Sequence, residues 1–217
     1  MITGATSGIG LALAEYFYKE NNQVIVCGRR KDRLEKLKAK YPNMETILCD
    51  ISQVSEREKL FDDCKAKFPE INILVNNAGI QLATKLTRPV DLDLIYRELD
   101  TNLVAPIHLS SLFVEQLAAA KDPAIINISS ALAYVPLAFI PVYCASKAAL
   151  HSYTLSLRHQ LRHTPIKVFE VIPPAVDTEL GYQRRADPHQ SHGGIPVSSF
   201  LQEAVEALLR DEYEAAV

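Results

Sequence analysis

A tyrosine and a lysine four residues apart, Tyr143 and Lys147, are the side chains of this sequence best placed to do chemistry. They open a stretch with helical periodicity, so the phenol and the ammonium are expected on one helix face. A tyrosine has a pKa of about 10, and a nearby ammonium lowers that pKa by favouring the phenolate. Such a tyrosine could protonate a carbonyl oxygen or deprotonate an alcohol. The spacing alone is common, and two surface residues one turn apart would also explain it.

A glycine-rich segment at the start of the chain is a second candidate site. Gly4, Gly8 and Gly10 follow the pattern G-x-x-x-G-x-G and precede a helical pattern that begins near Leu11. Glycines permit a tight turn and close approach of a ligand, and a helix beginning there directs free N–H groups at a phosphate. The segment predicts a dinucleotide-binding turn, and a glycine-rich loop without a ligand is the alternative.

Short apolar runs alternate with helical patterns along the chain, which is typical of buried parallel strands joined by helices. The apolar runs predict strands at 24–27, 46–49, 73–75, 124–128 and 166–171. The helical patterns predict helices at 31–40, 53–68, 88–120, 143–163 and 197–210, with a polar loop at 181–196. The alternation predicts one α/β domain over residues 1–217, a Rossmann-type doubly wound parallel sheet with helices on both faces. Only Met1 and Ile2 precede the glycine motif, so the first strand is expected to be truncated.

The candidate functional residues follow the ends of these predicted strands. Ligands of open α/β sheets bind at the carboxyl ends of the strands. Segments that are distant in sequence should therefore meet at one edge of the sheet, namely the glycine turn, Arg29, Asp50, Ala78-Gly79, Ser130 and residues 173–178.

The composition argues against several classes of function. The net charge of −3 offers little attraction for nucleic acid or an anionic membrane. No apolar run reaches the length of about 18 residues that spans a bilayer. The cysteines Cys27, Cys49, Cys64 and Cys144 lack C-x-x-C spacing, and the histidines lack a metal-ligand pattern. We expect a cytoplasmic protein with reduced core thiols and without a metal, nucleic-acid or membrane partner.

Four motifs in order resemble the short-chain dehydrogenase/reductase family: Thr3-Gly-x-x-x-Gly8-x-Gly10, Asn76-Asn-Ala-Gly79, Ser130 and Tyr143-x-x-x-Lys147. The resemblance covers residues 2 to about 180, and the run 171–178 is similar to the DltE-like branch. It implies an NAD(P)-dependent oxidoreductase that interconverts a carbonyl and an alcohol. Pro174 departs from the family pattern by replacing a glycine, and its fixed φ and missing N–H should stiffen the adjacent loop.

The resemblance also implies roles for individual residues. Tyr143 would be the acid/base, Lys147 would lower its pKa, Ser130 would hold the substrate oxygen, and Asn102 would complete a catalytic tetrad. The implied cofactor-binding residues are Gly4, Thr6, Ser7, Gly8, Ile9, Gly10, Arg29, Arg30, Asp50, Ile51, Asn77, Ala78, Gly79, Tyr143, Lys147, Pro173, Val176 and Thr178. The expected substrate-binding residues are Ser130, Leu132, Tyr134, Phe139, Tyr143 and Leu180. Their mainly apolar character indicates a carbonyl compound with a hydrophobic body.

Plainer interpretations stay open for several of these positions. Ser129 is the alternative to Ser130 for holding the substrate oxygen, although the spacing favours Ser130. Both serines could instead cap a strand end, and Asn102 could be a solvent-facing helical residue. Asp50 could cap the helix that follows it. Asn76 is expected to be structural.

The end of the second predicted strand indicates the preferred cofactor. An acidic residue there would bind a ribose 2′-hydroxyl, but this sequence has Gly28 followed by Arg29 and Arg30, with Asp32 inside the next helix. Arg29 could bind a 2′-phosphate through parallel N–H bonds. We expect NADP(H) to be preferred, with NAD(H) possible, and a solvated basic pair is the alternative.

Other functions are possible on the same scaffold. The protein could be a dinucleotide-binding sensor without turnover, or an epimerase or dehydratase. The latter relatives usually have longer C-terminal domains, whereas about 40 residues follow Pro174 here. The resemblance further implies a homodimer or homotetramer formed through the helices 88–120 and 143–163, and a substrate loop and helix at about 179–210.

Pro106 lies four residues after Asn102 in the predicted helix 88–120. Proline lacks an N–H, and its ring crowds the carbonyl four residues earlier, so the helix should bend near Asn102 and leave that carbonyl free. The resemblance implies that a water on this carbonyl links it to Lys147 and extends a proton path from Tyr143. The alternative is a proline that only shapes a bend.

Overall fold

The strands of the computed structural model form one parallel sheet, and the structure describes residues 1–181, 191 and 193–217. The described strands are β1 (Ile2–Thr3), β2 (Ile25–Gly28), β3 (Glu45–Leu48), β4 (Ile73–Asn76), β5 (Ala124–Ile128), β6 (Lys167–Ile172) and β7 (Glu214–Ala216). Their order across the sheet is β3-β2-β1-β4-β5-β6-β7. The strand order reverses between β1 and β4, since β2 and β3 lie on one side of this pair and β5 to β7 on the other, and a ligand crevice is expected at such a switch point.

Helices cover both faces of this sheet. The α-helices of the described residues are α1 (Gly8–Lys19), α2 (Lys31–Lys40), α3 (Val54–Lys67), α4 (Leu92–Leu99), α5 (Ala105–Ala118), α6 (Pro141–Gln160) and α7 (Val197–Leu209). Residues of α1, α2 and α7 share one hydrophobic core, and residues of α3 and α5 share the other, with Leu157 of α6 packed against it. The predicted single-domain, doubly wound α/β fold is confirmed.

Strand β2 shows why the apolar runs are continuous. Val24 and Val26 lie in the core beneath α1, α2 and α7, whereas Ile25 and Cys27 lie in the core beneath α3 and α5. Because successive side chains of a strand point to opposite faces and both faces are covered, every position is apolar. The predicted strands are accordingly found to within one residue at each end.

Two strands are short, with two residues in β1 and three in β7. The first strand contains only Ile2 and Thr3, as predicted, and it pairs with both β2 and β4. Strand β7 was not predicted, because Glu214–Ala216 contains no apolar run long enough to indicate a strand. It pairs with β6 at the edge of the sheet.

The predicted helix 88–120 is wrong as a single helix. The structure has α4, then a π-helical turn over Asp100–Val104, then α5. The backbone N–H of Ala105 reaches the carbonyl of Asp100, five residues back. Pro106 cannot supply an N–H four residues after Asn102, so the regular α-helical pattern cannot continue through this point.

Helix α7 and the segment before it were predicted to surround the substrate. The described helix packs against α1 and the sheet through Phe200, Ala204 and Ala207. Most of the predicted loop at 181–196 lies outside the described residues. Among the described helices, none combines the length and apolar character needed to span a membrane.

Candidate active site

Segments that follow β1 to β6 surround a cavity of about 640 Å³. Every residue predicted to bind the cofactor lines this cavity, from Gly4 in the first turn to Thr178 after β6. Ser130 and Leu180 line it as well. The rule that places ligands at the carboxyl ends of parallel strands therefore predicted where these distant segments meet.

The glycine turn is held tightly against the end of β4. Gly4 has a left-handed φ of 66°, and a Cβ built on it would stand 2.6 Å from the Cα of Ala78. The side-chain amide of Asn77 donates to the Thr3 carbonyl at 2.9 Å, and a Cβ on Gly10 would collide with that amide. These contacts require glycine at both positions.

Helix α1 begins inside the cavity wall at Gly8. The N-cap residue Ser7 makes no side-chain capping hydrogen bond in the described structure, so the first N–H groups of α1 are left for another acceptor. Free N–H groups and the positive end of the helix dipole suit a phosphate. The turn and α1 can thus hold the pyrophosphate of a dinucleotide.

Tyr143 and Lys147 lie in the first two turns of α6 and are both buried. The Lys147 ammonium nitrogen is 5.8 Å from the centroid of the Tyr143 ring and donates a hydrogen bond to the Ile128 carbonyl at 2.8 Å. Burial lowers the pKa of Lys147 to about 8, and the carboxylate of Glu170 opposes this shift. A cation that is held beside the ring can stabilise a phenolate on Tyr143.

The two serines at the end of β5 have different partners. The Ser129 hydroxyl donates to the Val171 carbonyl of β6 at 3.4 Å. The Ser130 hydroxyl oxygen accepts from the backbone N–H of Leu132 at 3.1 Å, capping a 3₁₀ turn at Ala131–Ala133. Ser130 can still donate its own proton into the cavity, so it is both a cap and a candidate for the substrate oxygen.

Asn102 lies in the π-helical turn, is fully buried and does not line the cavity. Its side-chain oxygen accepts from the Ile80 N–H at 2.9 Å, and its side-chain nitrogen donates to the Ile80 carbonyl at 2.9 Å and to the Ser146 hydroxyl at 3.1 Å. The solvent-facing alternative for Asn102 is wrong. Asn102 instead joins the segment after β4 to α6, close behind Lys147.

The comparisons with known proteins agree with this geometry. A sequence model of the short chain dehydrogenase family matches residues 1–189. The chain belongs to this family. It is 41% identical to the uncharacterized oxidoreductase DltE of Bacillus subtilis over 215 residues. The aligned region covers 99% of this chain and 85% of that protein. The predicted family and its DltE-like branch are confirmed.

Solved structures of short-chain dehydrogenases have the same fold. One is the enzyme from Sphingobium yanoikuyae in complex with NADPH, with a TM-score of 0.90, 25% identity and coverage of 99% of this chain and 85% of that chain. Another is the closed form of a serine dehydrogenase complexed with NADP⁺, with a TM-score of 0.86, 26% identity and coverage of 98% and 90%. The family therefore includes structural neighbours that bind nicotinamide dinucleotides.

Three arginines of this short-chain dehydrogenase, Arg29, Arg30 and Arg33, lie between the end of β2 and the first turn of α2, and Arg29 and Arg30 line the cavity. Arg29 is half exposed, with its guanidinium 3.9 Å from the Asp50 carboxylate. Arg30 donates to the hydroxyls of Thr6 and Ser7, at 2.7 and 2.6 Å, and to Glu179 at 2.9 Å. Hydrogen bonds from Arg33, and to a smaller extent from Arg30, lower the pKa of Glu179. Two guanidinium groups thus converge on one anion.

Several residues that the sequence singled out form hydrogen bonds within the protein. Asp50 accepts from the backbone N–H and the hydroxyl of Ser52, at 3.1 and 2.8 Å. Asn76 is buried and donates to Asn127 and Ser110, which is the structural role expected for it. Asn77 fixes the glycine turn through its amide. Asp50 and Asn77 nevertheless remain in the cavity lining.

The predicted substrate-binding residues separate into two groups. Ser130, Tyr143 and Leu180 line the cavity, and the others do not, namely Leu132, Tyr134 and Phe139. Tyr134 comes directly after the 3₁₀ turn, and its hydroxyl lies 3.0 Å from the Nδ1 atom of His151. Leu132 packs against the small cluster that contains Tyr143.

Sequence reasoning missed three charged residues near the site. Glu98 of α4 is buried and accepts from the backbone N–H of Leu82 at 2.9 Å. Glu170 of β6 is fully buried and contacts His151. A signal for Glu170 was present, because a carboxylate stood inside an apolar run that was predicted to be covered on both faces. Arg97, which lines the cavity, carried no comparable signal.

Proposed function

We propose that this protein is an NADP(H)-dependent oxidoreductase that interconverts a carbonyl and an alcohol, with Tyr143 as the acid/base. The observation that carries the proposal is the position of Tyr143, Lys147 and the glycine-rich turn in the wall of one cavity. A bound nicotinamide dinucleotide supplies the hydride chemistry. The chain supplies binding, orientation and the proton.

Each active-site residue has a separate task in this proposal. The Tyr143 hydroxyl gives its proton to a carbonyl oxygen, or takes one from an alcohol in the reverse direction. The Lys147 ammonium stabilises the phenolate that remains. The Ser130 hydroxyl donates to the same substrate oxygen and orients it. Asn102 holds the segments that carry Ile80 and Ser146 and thereby fixes α6.

The preference for NADP(H) is supported by the basic residues at the start of α2. In the sequence, basic and not acidic residues follow β2 directly, at the place where an acidic residue would bind a ribose 2′-hydroxyl. Arg30 and Arg33 already converge on the Glu179 carboxylate, which is an anion with acceptor oxygens, as a phosphate is. Arg29 is the most open of the three, since its ion pair with Asp50 is long.

Replacing Arg29 tests this preference with little structural disturbance. Arg29→Ala should weaken NADPH binding about tenfold and leave NADH binding unchanged, because one charged phosphate contact is lost. Lys31→Ala, which removes an exposed positive charge two residues away, is the matched control. Fluorescence titration with both cofactors gives the ratio. Equal NADH and NADPH affinities in the wild type, or an unchanged ratio in Arg29→Ala, would overturn the assignment.

The proposed substrate end of the cavity has several apolar side chains. Its lining includes Ile80, Leu82 and Leu180, which supports a carbonyl compound with a hydrophobic body. Arg97 lines the same cavity and adds one positive charge to that wall. The substrate panel should therefore pair each apolar ketone or aldehyde with an analogue that carries a carboxylate.

One experiment separates the enzyme from a cofactor-binding sensor. NADPH absorbance is followed with the carbonyl panel while NADPH binding is measured in parallel. The proposal expects turnover with at least one carbonyl. NADPH binding without turnover of any panel member would favour the sensor.

A homodimer or homotetramer is also proposed. Helix α4 leaves Leu92, Leu94 and Tyr96 exposed to 56%, 43% and 58%, which is a large apolar contribution for one short helix. Light scattering of the purified protein tests the oligomeric state. The cytoplasmic location stays a prediction.

A further inference from the structure

Glu170 is a fully buried carboxylate in the middle of β6. One oxygen, Oε2, lies 2.8 Å from Nδ1 of His151, and among the described residues none hydrogen-bonds the other oxygen, Oε1. Burying a carboxylate with an unpaired oxygen costs folding free energy, whereas an apolar side chain of similar volume is often neutral or stabilising. Stability therefore does not explain why β6 carries a carboxylate here.

Glu170 lies on the face of the sheet that α6 covers. Lys147, a residue of α6, extends toward the same face. Lys147 donates to the Ile128 carbonyl at the end of β5, and His151, one helical turn after Lys147, contacts Glu170 on the adjacent strand. The carboxylate of Glu170 raises the pKa of Lys147 against the larger effect of burial. The buried negative charge thus acts on the buried positive charge of the active site.

We propose that Glu170 is a positioning residue for the reaction: its carboxylate, oriented by His151, holds Lys147 in the ammonium form that Tyr143 requires. The proposal rests on the function assigned above to Tyr143 and Lys147. It extends the active site to β6, beyond the four sequence motifs. Glu170 itself does not line the cavity, so it acts only through Lys147.

The other ionisable groups around Glu170 are tied to different partners or closer to solvent. On the β7 side, Glu214 is paired in register with Glu170, but its carboxylate binds Arg158 at 2.8 Å and is 45% exposed. The backbone carbonyl of Tyr213 accepts from the Glu170 N–H. On the α6 side, His151 also contacts the hydroxyl of Tyr134, and the Tyr134 side chain is half exposed. The carboxylate of Glu170 is the most buried of these charges.

The first test uses the protein without cofactor or substrate. Ultraviolet absorbance of tyrosinate is titrated with pH in the wild type and in Tyr143→Phe, and the difference gives the ionisation curve of Tyr143. The same pair is measured in a Glu170→Gln background. We expect the Tyr143 curve to move about one pH unit upward, because Lys147 then loses its proton more easily. Glu214→Gln removes the same charge one strand further away and should leave the curve in place.

The second test uses turnover. In the alcohol-oxidising direction, Glu170→Gln should lower the rate about tenfold near neutral pH and recover it at higher pH, while the cofactor KM is unchanged. Glu170→Met, which fills the site without charge, should behave alike and keeps the test usable if Glu170→Gln does not fold. The proposal is overturned if the ionisation curve of Tyr143 in Glu170→Gln and in Glu170→Met is the same as in the Glu214→Gln control. Failure of the wild type to turn over any carbonyl would instead count against the proposed function, because the titration needs no substrate.

Discussion

The two ends of the active-site cavity are built in different ways. The end near β1 and α1 is made of backbone: Gly4 and Gly10 allow close contact, and the N–H groups of α1 provide the binding surface. The end near β5 and β6 is lined by the buried ionisable side chains of Tyr143 and Lys147, and the buried Glu170 lies outside the lining. A backbone site does not titrate but cannot accept an added Cβ. A side-chain site tolerates changes of shape better but depends on pH.

The side-chain end should show the largest effect on turnover. Tyr143→Phe keeps the ring and removes only the hydroxyl that carries the proton, so kcat should fall about 10³-fold. Cofactor affinity should stay within a few-fold of wild type, which fluorescence titration with NADPH measures. Activity above roughly a tenth of wild type would mean that another group transfers the proton.

The backbone end should instead lose binding. Gly10→Ala would improve helix propensity by about 1 kcal/mol in an open helix, but here its Cβ collides with the Asn77 amide and stands 2.8 Å from the Gly4 carbonyl oxygen. The turn must shift, and we expect NADPH affinity to fall about 100-fold. The matched control is Gly193→Ala, where a Cβ meets nothing within 4 Å although φ is +82°. That variant should lose a little stability and keep its NADPH affinity. Equal affinities in the two variants would show that the collision is harmless.

The same contrast explains what could be predicted from the sequence. The glycine turn is a local motif, so its residues and their place in the cavity could be assigned from spacing alone. The parallel sheet followed from apolar runs covered on both faces. The positions of Tyr134 and Glu170 depend on His151, which is distant from both in the sequence and contacts them only in the fold. The π-helical turn could be anticipated only as a bend at Pro106, because proline removes a hydrogen bond without specifying what replaces it.

Lys147 should carry a stability cost that the glycine turn does not. Its folded-state pKa of about 8 is below its ordinary value of 10.5 because burial penalises the charge. Below about pH 8 both folded and unfolded states hold the proton, and the full cost, roughly 3 kcal/mol, is present. Between those two pKa values the folded state releases its proton first, so wild-type stability rises with pH and the cost disappears toward the upper value.

Lys147→Met should therefore stabilise the protein while removing its activity. Near neutral pH, losing the buried charge outweighs leaving the Ile128 carbonyl without its donor, and we expect Tm to rise by about 3 °C. The gain should vanish at about pH 10. Lys31→Met, at an exposed lysine of α2, should change Tm little at either pH. A Tm difference that does not depend on pH would show that the change comes from packing and not from charge.

The smallest expected effect is that of Pro106, which lies outside the cavity at the start of α5. Pro106→Ala restores the N–H that an α-helix would donate to the Asn102 carbonyl, so Tm should rise, by an amount reduced by the small void left in the core. If a water links that carbonyl to Lys147 in the proton path, the new hydrogen bond from residue 106 would occupy the carbonyl. In that case kcat should fall a few-fold with KM unchanged.

Pro196→Ala, at the N-cap of α7, is the control for a proline removed far from Lys147, and its kcat should not change. The decisive measurement combines Tm, kcat and a crystal structure of Pro106→Ala. A captured carbonyl with unchanged kcat would remove Asn102 from the proton path and leave its side-chain contacts with Ile80 and Ser146 as its contribution to the site.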